Sequence, residues 1–136
     1  MEQRAAAELH LGATVSRLCP HCGSADHGRP RLPERHLSLA YAEGLVAIAV
    51  SDRPVGVDVE RKGHLAWTRA EAVLKLTGEG VRRDPATVRD DQAWTLTLAP
   101  PAGYVATLAS AGPLEVRVRT EMAAAPARPA TDAAPT

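Results

Sequence analysis

Phenylalanine is absent from the 136 residues, and only two Trp and two Tyr stand in for it. A core without large rings is built from Val, Leu, Ile and Ala. Such a core implies one modestly stable domain that gains from burial against a partner, a second copy of the chain included. Charge of one sign is missing too: 16 basic residues balance 16 acidic ones. That balance argues against a broad electrostatic surface for nucleic acid. No run approaches the roughly 20 apolar residues that span a bilayer, so no membrane partner is expected. The opening "MEQRAAAELHLGATV" lacks the apolar stretch of a secretory signal, because Glu8 and His10 interrupt it. A cytoplasmic, soluble protein is the expectation. Cysteine is scarce, with Cys19 and Cys22 as one CxxC, which excludes a disulfide framework. Lysine is scarcest of the charged residues: Lys62 and Lys75 stand against 14 Arg.

Periodicity divides the remainder. Residues 2–10 suit a short helix stopped at Gly12, and residues 1–12 form an N-terminal helical remnant. "ATVSRLC" (13–19) suits a strand, and 20–35, rich in Gly, Pro and His, a loop. "HLSLAYA" (36–42) and "GLVAIAVS" (44–51) predict a hairpin. "DRP" turns into a third strand, "VGVDVE". Connections this short predict three antiparallel neighbours. "AWTRAEAVLKLTGEG" (66–80) predicts the main helix, with Trp67, Ala70, Val73, Leu74 and Thr77 at helical spacing and Gly78 or Gly80 as C-cap. "QAWTLTLA", "YVATLAS" and "LEVRVR" alternate as strands, with "PPAG" turning between the first two. The Ala/Pro-rich residues 121–136 have no pattern that buries a face and are expected to be disordered. The implied fold class is α+β, an antiparallel sheet packed against one main helix, with residues 13–120 as the domain.

Chemistry concentrates where this sequence is least ordinary. Asp58 and Glu60 lie i, i+2 on one face of a strand, so their carboxylates repel unless a cation or proton relieves them. Mg²⁺ is a natural relief, being held by one or two carboxylates, waters and substrate phosphates. Gly56 before them lets something approach the backbone closely. The plainer reading is a solvent-facing edge strand with two ordinary acidic residues. Glu71 and Lys75, spaced i, i+4, share a helix face; an exposed helical ion pair is the plain reading there. In a chain that otherwise prefers Arg, Lys75 also suits a compact charge for phosphate.

"VGVDVE" followed by "WTRAEAVLKLTGEG" resembles the signature pair of the 4'-phosphopantetheinyl transferases, especially the Sfp-type branch. That family has a G-hydrophobic-D-hydrophobic-E strand, then W-x-x-K-E-x-x-x-K on a helix. "RLCPHCGSADHGRPRL" and "WTLTLAPPAGYVATLAS" resemble flanking segments, so the similarity covers roughly residues 13–120. The resemblance implies Mg²⁺-dependent transfer of phosphopantetheine from coenzyme A to a serine of an acyl or peptidyl carrier protein. It implies Asp58, Glu60 and Glu71 as metal ligands, and Glu71 as the group that helps deprotonate the serine. Lys75 would steady the phosphate and the departing 3',5'-ADP, and Arg29 would contact the nucleotide end. The chain departs from the family at three places. Ala40 and Tyr41 stand where Ser and His are usual, and Ala70 where the first Lys is. "RKGHLA" alone joins Glu60 to Trp67 where several tens of residues are typical. A reduced, non-catalytic homologue that binds coenzyme A, a carrier or a partner transferase is the alternative.

Cys19, Cys22, His27 and His36 form C-x2-C-x4-H-x8-H, which admits a structural zinc although the spacing matches no common finger. His10 and His64 have no evident partners and are expected at the surface.

Overall fold

The computed structural model describes Ala7, Leu11 and residues 15–18, 29–78, 84–89 and 93–121. Among the described residues, seven strands and one main helix form an α+β arrangement. Strands β1 (Ser16–Leu18) and β2 (Arg29–Arg31) pair antiparallel. Strands β3 (His36–Ala42) and β4 (Leu45–Ser51) form a hairpin, and Gly44 at φ 82° supplies the left-handed position of its two-residue turn. Strand β5 (Val55–Arg61) is followed by helix α1 (Leu65–Thr77), a short 3₁₀ turn (Pro85–Thr87), β6 (Trp94–Leu98) and β7 (Tyr104–Ser110). These last strands form an antiparallel sheet in the order β5-β7-β6. Among the described residues no helix is long and apolar enough to cross a membrane.

Within the expected loop 20–35, Arg29–Arg31 form β2, and two further expectations fail. First, β5 does not extend the β3–β4 hairpin; its ladder partner is β7, with Asp58 opposite Thr107. Short links force antiparallel pairing only between strands of one sheet. The Ser51–Pro54 turn instead carries the chain across to a second sheet, which packs against the hairpin. One buried bond joins the two: the Val57 N–H donates to Ser38 Oγ at 2.9 Å. Second, "LEVRVR" joins no strand ladder. Its alternation survives in part as burial: Leu114 and Val116 lie against the core, while Glu115, Arg117 and also Val118 are exposed.

Three apolar clusters account for the packing. Val55, Val57 and Val59 meet Ala106 and Leu108 on one face of the second sheet, closed by Ala40 and Ala42 of the hairpin. The other face of the hairpin, Leu37 and Leu39, packs on Val15 and on Ala7, which is helical like Leu11. Helix α1 contributes Ala72 and Val73 against Ala109.

The helix ends where Gly78 adopts φ 79° and its N–H donates to the Leu74 carbonyl, the expected left-handed cap. Its buried side chains are Thr68, Ala72, Val73 and Leu74, not the full expected stripe. Trp67 is 47% exposed and Thr77 lies at the surface. The helix is turned by its closest contact: a Cβ on Gly56 would lie 2.0 Å from the Ala72 carbonyl oxygen and 2.5 Å from the Leu76 nitrogen. Glycine thus lets helix backbone rest directly on strand backbone. Thr107 Oγ1 donates to Thr68 Oγ1 at 3.2 Å, and Thr68 Oγ1 donates to the Leu65 carbonyl at 2.6 Å, a buried polar chain from sheet to helix.

Candidate functional site

Strand β5 has two unlike faces because side chains alternate along it. Its valines enter the apolar core. Gly56, Asp58 and Glu60 turn to the face that helix α1 covers. The reading of Asp58 as an ordinary solvent-facing acid is therefore excluded: the residue is only 6% exposed. Glu60 and Glu71 are half-buried.

Lys75 reaches this carboxylate from the fourth turn of the helix. Its Nζ donates to Asp58 Oδ1 at 3.1 Å and to the Leu39 carbonyl at 3.0 Å. One ammonium thus ties β3, β5 and α1 together. The sequence spacing pairs Lys75 with Glu71; the structure places its ammonium on Asp58. An ammonium has three donors, so two are spent on protein. Asp58 Oδ2 is buried and has no hydrogen-bond partner. An unpartnered buried carboxylate oxygen is costly, and it marks a place for a proton, a cation or a donor from a ligand.

The electrostatics say the same. Burial pushes the Asp58 carboxyl up from 3.8 to about 7; Lys75 pulls it down, and the neighbouring Glu60 pushes it up again. Burial also raises Glu71 above the usual glutamate range, against the pull of Lys75 and with the repulsion of Glu60. Lys75 and Glu60 therefore act on both Asp58 and Glu71 across the β5–α1 junction. Among the described residues, however, no three carboxylate, His or Cys groups are gathered as a ready metal cage. The donor set fits a hard cation held by one or two carboxylates and completed by water or phosphate oxygens, rather than one enclosed by protein.

The far end of β5 is fixed by a separate set of contacts. The Arg61 guanidinium bonds Glu43 at 3.0 Å and lies 5.3 Å from the Tyr104 ring centre, while the Tyr104 hydroxyl donates to the Glu43 carbonyl. These contacts anchor the hairpin turn beside Glu60. Sequence reasoning did not single out Ser38, Leu39 or Tyr104. Ser38 acts through its hydroxyl and Leu39 through a backbone carbonyl that any residue there would present, and no residue spacing announces either.

Of the remaining sequence-derived residues, Arg29 opens β2, and its side chain lies outside the described residues, as do Cys19, Cys22 and His27. His36 begins β3 and is exposed, as is His64; His10 is outside the described residues. Ala40 is buried at 1% exposure, and Tyr41 is 50% exposed. No protein-family model and no curated protein matches this chain.

Proposed function

We propose that the chain is a Mg²⁺-dependent 4'-phosphopantetheinyl transferase that moves phosphopantetheine from coenzyme A to a serine of an acyl or peptidyl carrier protein. One observation carries the reading: Asp58 keeps a buried, unpartnered oxygen beside Lys75 and Glu60, which also act on Glu71. The order of the strand and helix motifs supports it. Asp58, Glu60 and Glu71 would hold the metal, which when bound supplies charge neutralisation for the pyrophosphate oxygens. Arg29 would take the nucleotide end of the coenzyme.

The chain's own groups then have distinct tasks. Glu71, made more basic by burial, accepts the proton of the carrier serine. The serine oxygen forms a bond to the phosphorus that bears the pantetheine arm. The bond from that phosphorus to the oxygen of the leaving 3',5'-ADP breaks, and its electron pair stays on that oxygen. Lys75 has one donor left after Asp58 and the Leu39 carbonyl, and this donor serves the departing phosphate. Phosphoryl transfer of this kind depends on positioning and charge rather than covalent help.

A second reading, a non-catalytic homologue, has its own support: Lys75 already neutralises Asp58 inside the protein. One experiment separates the two. The protein is incubated with coenzyme A, Mg²⁺ and several apo carrier proteins, and the carriers are weighed by mass spectrometry. A carrier that gains the phosphopantetheine mass supports the enzyme. No gain on any carrier, while a competent transferase modifies the same set, removes it in favour of the binding homologue.

A further inference from the structure

Strand β4 is an edge open to partnership. Its seven residues, Leu45–Ser51, contain no charge, no Pro and no Gly, and every one is only half-buried. Among the described residues its only ladder partner is β3. Natural edge strands are usually blunted by Lys, Pro or a bulge, and β4 has none of these. On its other side lies a cavity of 280 Å³, lined by all seven β4 residues. Residues 114–121 form the opposite wall without a ladder of their own.

The hairpin settles which groups this edge offers. Its two-residue turn closes on Ala42 opposite Leu45, and such a closing pair is hydrogen-bonded. The alternation of an antiparallel ladder then directs the N–H and C=O groups of Leu45, Ala47, Ala49 and Ser51 toward β3. Those of Val46, Ile48 and Val50 point to the open edge. An antiparallel copy centred on Ile48 matches these donors to themselves. Ile48 then meets Ile48 and Val46 meets Val50, each in a hydrogen-bonded pair, while Ala47 lies level with Ala49. The same register sets Glu43 level with Arg53. Both are exposed and opposite in charge, and Glu43 also bonds Arg61 of its own chain. A twofold axis makes that ion pair twice.

We infer that β4 is the pairing edge of a twofold dimer, in which β4 of a second copy aligns antiparallel about Ile48 to form a continuous β3-β4-β4-β3 sheet. Partner choice rests on an uncharged apolar strand flanked by one acidic and one basic end, which is complementary to itself. The inference does not depend on the transferase reading.

Sedimentation equilibrium of the full chain tests it, with circular dichroism to confirm folding. A dimer is expected. Val46→Lys places a charge on the open edge and should yield a folded monomer. Arg53→Glu and Glu43→Arg, the second of which also releases Arg61 from Glu43, should each weaken the dimer by about fivefold or more. The double variant should restore it, which general destabilisation would not do. A monomer across the concentration range, or single charge reversals without effect on the dissociation constant, would overturn the inference. So would a monomer whose residues 114–119 are protected from hydrogen exchange, since the chain would then close its own edge.

Discussion

The two faces of β5 are built to opposite tolerances. On one, Gly56 leaves no room for a methyl group beneath the helix, and Asp58 is locked by an ammonium. On the other, Val55, Val57 and Val59 contribute to the lining of the 280 Å³ cavity. A chain without phenylalanine fills the second face loosely, because small branched side chains run out of reach. The first face stays tight because backbone meets backbone there, and a helix over glycine needs no large side chain. The proposed chemistry sits on this tight face, which suits groups that must hold fixed positions.

Substitutions can break this contrast, and Gly56→Ala should do so most severely. Its Cβ meets helix backbone, which cannot rotate away, so unfolding should become easier by about 3 kcal/mol, read from the midpoint of chemical denaturation. Lys75→Met comes next. It strands Asp58 beneath the helix and should cost about 2 kcal/mol at pH 8, discounted because the lysine is partly exposed. The cost should shrink at pH 5, where Asp58 carries a proton. An equal loss at both pH values would show that the ammonium acts by packing alone.

The titration of Asp58 gives a third test. Its folded value, about 7, lies above its ordinary 3.8. Between those values the folded protein binds a proton that the unfolded chain does not. This contribution to stability is full below about pH 4 and is lost as pH rises through about 7. Melting temperature should therefore fall over that range because of this group, and Asp58→Asn should flatten the slope. The smallest effect belongs to the loose face: Ala47→Val, which adds bulk to the cavity wall, should stabilise by about 0.5–1 kcal/mol. If the valine destabilises instead, the cavity is tighter than the contrast requires.

Much of this architecture is legible in the residues. The hairpin of β3 and β4, the strand "VGVDVE", the helix and its glycine cap all follow from period and punctuation. Gly56 was legible as a point of close approach; that the visitor is helix α1 depends on tertiary packing. The hidden parts are non-local. Nothing in "SDRPVG" announces that β5 leaves the hairpin for β7, since the same turn residues serve either course. The alternation of "LEVRVR" matches a strand, yet alternation also serves an extended segment that lays Leu114 and Val116 on a core. At the site, the pairing of Asp58 and Glu60 on one face was readable from period two. The capture of Asp58 by Lys75 was not, because helix spacing points to Glu71 and the competing acceptor lies 17 residues away.

In the proposed function, the tight face of β5 holds a cation against a pyrophosphate through Asp58. Calorimetric titration of coenzyme A into the parent protein and into Asp58→Asn, each with Mg²⁺ and again with a chelator, tests it most directly. Mg²⁺ should tighten coenzyme A binding to the parent and leave the variant's affinity unchanged. An affinity that ignores both the metal and the substitution would show that Asp58 holds no cation there.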